Sequence, residues 1–214
     1  MRAVAVLSLA CFAALAAGCG SSSPDGSAAT APAAGSAGAA TTLDAPAPRR
    51  RKHDVLVIGD SLAVGFEPAL KAALPGWRVR VDGRIGRPLA EGMRILAGQT
   101  STPAILAFSL FTNDDPRETP ALAAAVRATA TRPGGCAVWA TVVRPPLAGV
   151  GYDAANALLR GLANDPELAL RLVDWAAAVA RSPSLLARDG VHGTPAGYRA
   201  LGRLYAAAVA SCAG

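Results

Sequence analysis

Aromatic residues make up only 5% of this 214-residue sequence and charged residues only 17%, whereas 52% of the residues are hydrophobic. So low a charge content excludes a chain that stays disordered throughout, and a globular domain is expected. The 22 glycines and 16 prolines follow no regular repeat, which excludes a collagen-like protein. Alanine supplies much of the hydrophobic share, and it favours helices while burying little area.

The chain from residue 54 onward also has little excess positive charge. The formal net charge is +6, but from residue 54 onward 16 basic residues face 13 acidic ones, a net of +3. Much of the remainder lies in the basic run at 49–52, with which no aromatic residues are interleaved. Nucleic-acid binding is therefore not expected. We interpret the run as part of a solvated tether, or as a segment attracted to an anionic envelope surface.

Histidine is limited to His53 and His192, and His53 lies beside the basic run. Any imidazole-dependent chemistry in the domain that follows must therefore use His192. No cysteine and histidine cluster suggests a metal site, and neither a Gly-Lys-Ser/Thr phosphate loop nor a Gly-x-Gly-x-x-Gly fingerprint occurs. The Gly-x-Ser-x-Gly elbow is absent because Ala63 stands where its second glycine would be. No metal or cofactor is expected.

The N-terminus predicts export. Arg2 precedes an apolar run at 3–17 that only Ser8 interrupts, and this run is too short to span a bilayer comfortably. Residues 1–18 are therefore interpreted as a signal peptide. Leu15-Ala16-Ala17-Gly18-Cys19 resembles a bacterial lipoprotein box, in which the cysteine becomes the lipidated first residue. The predicted location is the outer face of a membrane, held by a lipid on Cys19, and the alternative is ordinary secretion.

A flexible tether is predicted over residues 19–53. Between residues 20 and 48 nearly every residue is Ala, Gly, Ser, Thr or Pro. Such a segment cannot bury enough apolar area to offset the entropy of ordering it. The folded domain is therefore expected at 54–214. Because export places this domain in an oxidising compartment, its two cysteines, Cys136 and Cys212, are expected to pair.

From residue 54 short apolar runs alternate with helical patterns. This order predicts a doubly wound α/β domain, with a five-stranded parallel sheet and helices on both faces. The final helix is expected to begin at Pro195, with Thr194 as its N-cap. The predicted strands are 55–58, 78–81, 104–111, 137–143 and 170–173, and the other predicted helices are 63–74, 89–97, 119–131 and 152–163.

Polar residues follow the predicted strands at one rim of the sheet, where ligands bind in this architecture. They include Ser61 after the first strand, Asn113 after the third and His192 before the last helix. The last helix starts on this rim and runs back antiparallel to the strands, which carries Cys212 to the opposite edge, where Cys136 opens the fourth strand.

Two motifs on this rim resemble the SGNH hydrolases, the GDSL family of lipases and esterases. Gly59-Asp60-Ser61-Leu62 is similar to the first block of that family, and Asp189-Gly190-Val191-His192 to its last block. The resemblance implies Ser61 as nucleophile, His192 as base and Asp189 as the residue that orients the imidazole. These roles agree with the chemistry, because a serine hydroxyl needs a base to take its proton.

The resemblance also implies an oxyanion hole, made by the Ser61 amide, a glycine amide after strand two and the Asn113 side chain. Gly86 is preferred to Gly83 for the glycine because it lies deeper in its loop. The family's usual Gly-x-Asn-Asp block instead reads Phe111-Thr112-Asn113-Asp114 here. Phe111 is expected either to narrow the acyl pocket or to point into the core.

The sequence therefore predicts a monomeric, cofactor-independent serine ester hydrolase acting on a small-molecule or glycan ester with a short acyl group. Arg87 and Arg144 are candidate contacts for an anionic or sugar-bearing substrate, although each is a candidate surface charge as well. Two alternatives stay open. One is acyl transfer to an envelope glycan, and the other is a non-catalytic binding module that keeps the same scaffold.

Overall fold

The structure, a computed structural model, describes residues 53–214. The predicted signal peptide, Cys19 and the tether up to residue 52 lie outside the described residues. Between residues 53 and 214, no helix combines the length and the apolar character that a membrane span requires.

Five parallel strands form one sheet, in the order β2-β1-β3-β4-β5. Each strand is followed by a helix, so the predicted doubly wound α/β fold is confirmed. Every predicted strand exists, with ends shifted by up to three residues. The strands are β1 (Asp54–Gly59), β2 (Arg78–Gly83), β3 (Ile105–Ser109), β4 (Cys136–Ala140) and β5 (Leu170–Val173).

In the described part of the chain, six α-helices cover the sheet: α1 (Ser61–Ala73), α2 (Leu89–Ala97), α3 (Thr119–Ala130), α4 (Asp153–Ala163), α5 (Trp175–Arg181) and α6 (Pro195–Ala210). Sequence reasoning missed α5 and the 3-10 turn Pro183–Leu185 that follows it. The signal for α5 was present, because the Asp174 carboxylate caps it by accepting a hydrogen bond from the Ala177 amide at 3.1 Å.

Two apolar cores cover the two faces of the sheet. Alternation along β1 sends Leu56 and Ile58 to the face covered by α2, α3 and α4, and sends Val55 and Val57 to the face covered by α1, α5 and α6. Both sets of side chains are buried because helices cover each face, which explains why the strand is a continuous apolar run.

Helix α6 runs from the rim where the strands end to the opposite edge of the sheet. Thr194 accepts a hydrogen bond from the Gly197 amide at 3.1 Å, which confirms it as the N-cap. At the other end Cys212 forms a disulfide with Cys136 across a sequence separation of 76, with 5.8 Å between their Cα atoms. The predicted pairing is confirmed, and both ends of α6 are anchored.

Candidate active site

The turn between β1 and α1 places Ser61 at a helix N-terminus. The side chain of Asp60 is completely buried, and its Oδ1 accepts a hydrogen bond from the Leu62 amide at 2.9 Å. This cap begins α1 at Ser61, two residues before the helix start predicted from sequence. The hydroxyl of Ser61 therefore lies at the N-terminus of α1, where the helix dipole favours negative charge.

The loop before α6 brings two further side chains to Ser61. Ser61 Oγ lies 3.0 Å from His192 Nε2, although 131 positions separate the residues. On the other side of the ring, His192 Nδ1 lies 2.7 Å from Asp189 Oδ2. An Nδ1–H that donates to the carboxylate leaves Nε2 as an acceptor for the serine hydroxyl.

Local hydrogen bonds shape this loop and stabilise the anionic form of the Asp189 carboxylate. Asp189 Oδ1 accepts from the amides of Val191 and His192, both at 3.0 Å. The Val191 amide, together with the His192 ring and amide, lowers the pKa of Asp189 from 3.8 to about 2. Asp189 is therefore an anion at neutral pH. The Ala187 amide closes the loop by donating to the His192 carbonyl at 2.8 Å.

The sequence predicts three oxyanion donors, namely the amides of Ser61 and Gly86 and the side-chain amide of Asn113. Gly86 lies in the exposed β2–α2 loop with a φ of 72°, whereas Gly83 is the last residue of β2, paired with Gly59. Within residues 53–214, neither the Ser61 amide nor the Gly86 amide donates a hydrogen bond. Gly86 thus lies in the loop and Gly83 in the strand, and the preference for Gly86 as a donor stays a prediction.

Asn113 projects between the turn and this loop. Its Nδ2 lies 3.4 Å from Asp60 Oδ2 and 3.3 Å from the Arg87 carbonyl oxygen. Both contacts are long, so the side-chain amide is held in place by weak hydrogen bonds. It is half-buried and reaches the same rim as Ser61.

Asp60 is the buried carboxyl beneath these groups. Burial raises its pKa above 3.8, and this effect outweighs the hydrogen bonds from Leu62, Thr112 and Ser109 that favour the anion. Asp60 is not among the site residues predicted from sequence. Its position directly before Ser61, at the start of a helix, was the signal for an N-cap.

No family model matches the sequence, and no curated protein matches it. Solved structures do match. The C-terminal catalytic domain of peptidoglycan O-acetyltransferase A from Streptococcus pneumoniae, determined with a methylsulfonyl adduct, is 21% identical with a TM-score of 0.60, over 74% of this chain and 91% of that domain. A protein from Slackia heliotrinireducens described as an SGNH hydrolase is 22% identical with a TM-score of 0.53, over 72% of this chain and 97% of that one. This chain has the SGNH hydrolase fold.

A psychrotrophic esterase from Pseudoalteromonas, whose structure was determined with monoethylphosphonate as inhibitor, shares the SGNH fold as well. It is 14% identical, with a TM-score of 0.56, over 74% of this chain and 97% of the esterase. The doubly wound α/β fold predicted from the alternation of strands and helices is thus shared with proteins that are only 14–22% identical.

Phe111 departs from the usual SGNH sequence but keeps a glycine-like backbone. Its φ is 78°, in the left-handed region that glycine adopts freely and other residues adopt at a cost of about 1–2 kcal/mol. The ring is fully buried and packs edge-on against Tyr152, with ring centroids 6.2 Å apart. Phe111 is therefore a core residue, as one of the two sequence interpretations held, and the candidate substrate contact is corrected.

The candidate substrate contact at Arg87 is also corrected. Only 4% of its side chain is exposed, and the guanidinium donates to the Gly59 carbonyl, to the main chain and carboxylate of Asp82 and to Glu91. Its charge faces protein groups rather than the rim. Arg144 is half-buried, and its Nη1 donates to the Thr112 carbonyl at 2.6 Å.

Between residues 53 and 214, no three His, Cys, Asp or Glu side chains are grouped as metal ligands would be.

Proposed function

We propose that the protein is a serine-dependent ester hydrolase that uses Ser61, His192 and Asp189 as a catalytic triad. The observation that carries the proposal is the unbroken chain of contacts from Ser61 Oγ to His192 Nε2 at 3.0 Å and from His192 Nδ1 to Asp189 Oδ2 at 2.7 Å. His192 and Asp189 lie three residues apart in one loop, whereas Ser61 reaches them only through the fold.

In the proposed reaction, Ser61 Oγ attacks the ester carbonyl as His192 Nε2 takes the hydroxyl proton. The anionic Asp189 holds the ring in the required tautomer and stabilises the imidazolium. The tetrahedral intermediate collapses when His192 gives this proton to the departing alcohol, which leaves an acyl group on Ser61. Water then attacks the acyl-enzyme, with His192 as base again, and the acid is released.

The oxyanion would be held by the amides of Ser61 and Gly86 and by Asn113 Nδ2. Within residues 53–214, the two backbone amides donate no hydrogen bond, and Asn113 Nδ2 makes only long contacts. Donors of this kind are each worth about 10²–10³ in rate.

Acyl transfer is the second candidate, because one of the similar structures is the catalytic domain of a peptidoglycan O-acetyltransferase. In that reaction a sugar hydroxyl, in place of water, attacks the acyl-enzyme. Both reactions share the first half, so the same serine is tested for both. Release of acetate, against formation of an acetylated glycan, separates them.

For location and partners, we propose a monomeric, exported lipoprotein that acts on a small-molecule or glycan ester with a short acyl chain. Export and the lipid anchor are supported by the apolar run at 3–17 and by the lipoprotein-like sequence that ends at Cys19. Mass spectrometry of the mature N-terminus would test it, and an unmodified N-terminus other than Cys19 would contradict it.

The decisive experiment combines a fluorophosphonate probe with hydrolysis of p-nitrophenyl acetate. We expect the wild type and the control Ser211→Ala, at an exposed serine in the C-cap of α6, to react with the probe and to turn over the ester. Ser61→Ala should lose the label and several orders of magnitude in rate while it stays folded. A folded wild type that ignores both reagents would contradict the proposal and favour a binding module on the same scaffold.

A further inference from the structure

Arg87 is a buried cation that touches both segments flanking the position in front of Ser61. Nη1 donates to the Gly59 carbonyl at 3.1 Å, and Gly59 precedes the turn that carries Ser61. Nη2 donates to Asp82 Oδ1 at 2.7 Å, and Nε lies 3.4 Å from Glu91 Oε1 in α2. The guanidinium therefore joins the ends of β1 and β2 to the first turn of α2.

The main chain of Arg87 reaches the third segment of the site. Its carbonyl oxygen accepts a hydrogen bond from Asn113 Nδ2 at 3.3 Å, and Arg87 is the next residue in the chain after Gly86. The Gly59 carbonyl also accepts from the Arg84 amide at 3.1 Å. One carbonyl thus receives a donor from each end of the loop at 84–87, and this loop carries Gly86.

We propose that Arg87 is a positioning residue that sets the distances among the Ser61 amide, the Gly86 amide and the Asn113 side chain. The inference rests on the proposed function, since these three groups are its candidate oxyanion donors. Donors act on a developing oxyanion only when they are held in place before the reaction, and displacements well below 1 Å matter.

The arrangement requires the shape of the guanidinium as well as its charge. A planar fork donates to several fixed acceptors at once, whereas a lysine ammonium is a single point with a flexible stem. The neighbouring carboxylates of Asp82 and Glu91 already balance the charge. Replacement by lysine keeps that balance but cannot satisfy all the acceptors, so it separates positioning from charge.

The test compares Arg87→Lys with Arg160→Lys in the full chain. Arg160 is a matched control because it also donates a forked pair of hydrogen bonds, to Asp174 at 2.8 and 2.9 Å, outside the proposed site. With p-nitrophenyl acetate, we expect Arg87→Lys to lower kcat roughly tenfold or more while KM changes little, because the donors act on the transition state. Arg160→Lys should leave both constants near the wild-type values.

A coupling measurement identifies the route of the effect. If Arg87 acts through Asn113, the loss of kcat caused by Arg87→Lys should shrink when Asn113 is already alanine. A kcat of Arg87→Lys equal to the wild-type value would overturn the inference, and equal losses in both backgrounds would overturn its claim that Arg87 positions the Asn113 side chain.

A readout without activity separates this inference from the proposed function. In ¹⁵N-correlated NMR spectra, the Asn113 side-chain amide and the Gly86 backbone amide should shift in Arg87→Lys and stay unchanged in Arg160→Lys. Unmoved signals would overturn the positioning role even in an active enzyme. Shifted signals in a protein that hydrolyses no ester would leave the positioning role standing while the proposed function fails. Should Arg87→Lys not fold, Arg87→Gln replaces it in the same comparison.

Discussion

The two sides of the candidate site hold their aspartates in opposite environments. Asp189 lies in an exposed loop, and hydrogen bonds from residues two and three positions away lower its pKa to about 2. Asp60 lies in the buried floor, which we define as Asp60, Arg87 and Asn113, and burial raises its pKa. The loop thus maintains a charge next to solvent, whereas the floor keeps a carboxyl where its charge is costly.

The two sides of the site are held by different kinds of contact. The loop is shaped by contacts between near neighbours in sequence, and water limits the energy of each contact. The floor is shaped by contacts between residues that are separated by 26 to 53 positions in the sequence. These contacts exist only when β1, β2 and β3 are assembled. Changes in the loop should therefore act on rate with little effect on stability, and changes near the floor should act on both.

The largest expected effect comes from Asp189→Asn. The amide can keep both backbone hydrogen bonds through its oxygen, but its nitrogen then faces the Nδ1–H of His192 and favours the wrong tautomer. We expect kcat/KM for p-nitrophenyl acetate to fall roughly 10³–10⁴-fold, with a urea midpoint close to that of the wild type.

Asp165→Asn is the matched control for this change. Asp165 also accepts from an amide two residues later, that of Glu167 at 3.0 Å, but it lies in the α4–β5 connection. Its replacement should leave the rate unchanged. A large loss of stability in Asp189→Asn would show that the loop is not held as locally as the comparison states.

A smaller effect is expected where α1, which begins at Ser61, packs against α6, which follows the His192 loop. A methyl group at Gly65 in α1 would overlap the ring of Tyr198 in the first turn of α6. Gly65→Ala should therefore lower the free energy of unfolding by about 1–3 kcal/mol and reduce kcat, because the ring adjoins the His192 loop.

Gly161→Ala in α4 is the control for Gly65→Ala, since a methyl group there meets nothing within 4 Å. The free energy of unfolding should rise by up to about 1 kcal/mol in this variant. Urea denaturation of both proteins measures the contrast. Equal stability changes would show that α1 and α6 are not closely packed at Tyr198.

The smallest expected effect is a change in how stability depends on pH. The pKa of Asp60 is raised in the folded state. Its contribution to the stability of the fold is therefore fully present below pH 3.8 and is lost as the pH rises through the pKa that Asp60 has in the folded protein. Asp189 has the opposite sign, with a contribution present above pH 3.8 and lost as the pH falls through about 2.

Above pH 4, the free energy of unfolding should therefore decline less steeply with pH in Asp60→Asn than in the wild type. This expectation concerns the slope and holds whether the variant is more or less stable than the wild type. Asp189→Asn should leave this part of the profile unchanged. Urea unfolding at several pH values from 4 to 8 measures both slopes, and equal slopes in Asp60→Asn and the wild type would contradict the assignment.

Much of the fold could be predicted because its signals are local. The continuous apolar strands, the Thr194 cap before Pro195 and the turns between elements each lie within a few residues. Helix α5 was missed although Asp174 marks its start, because a helix of one to two turns shows too little periodicity. The disulfide followed from topology, since α6 had to end at the edge of the sheet where β4 begins.

The order of residues along the chain identifies the side chains that could perform the chemistry. It places a single histidine in the domain, an aspartate three residues before it, and a serine after an apolar strand. Only the tertiary structure decided that Ser61 meets His192 across 131 positions, that Phe111 enters the core, and that Arg87 turns away from the rim. The physical reason is that the burial of a ring or a guanidinium depends on acceptors and neighbours from several strands, and no short stretch of sequence contains them.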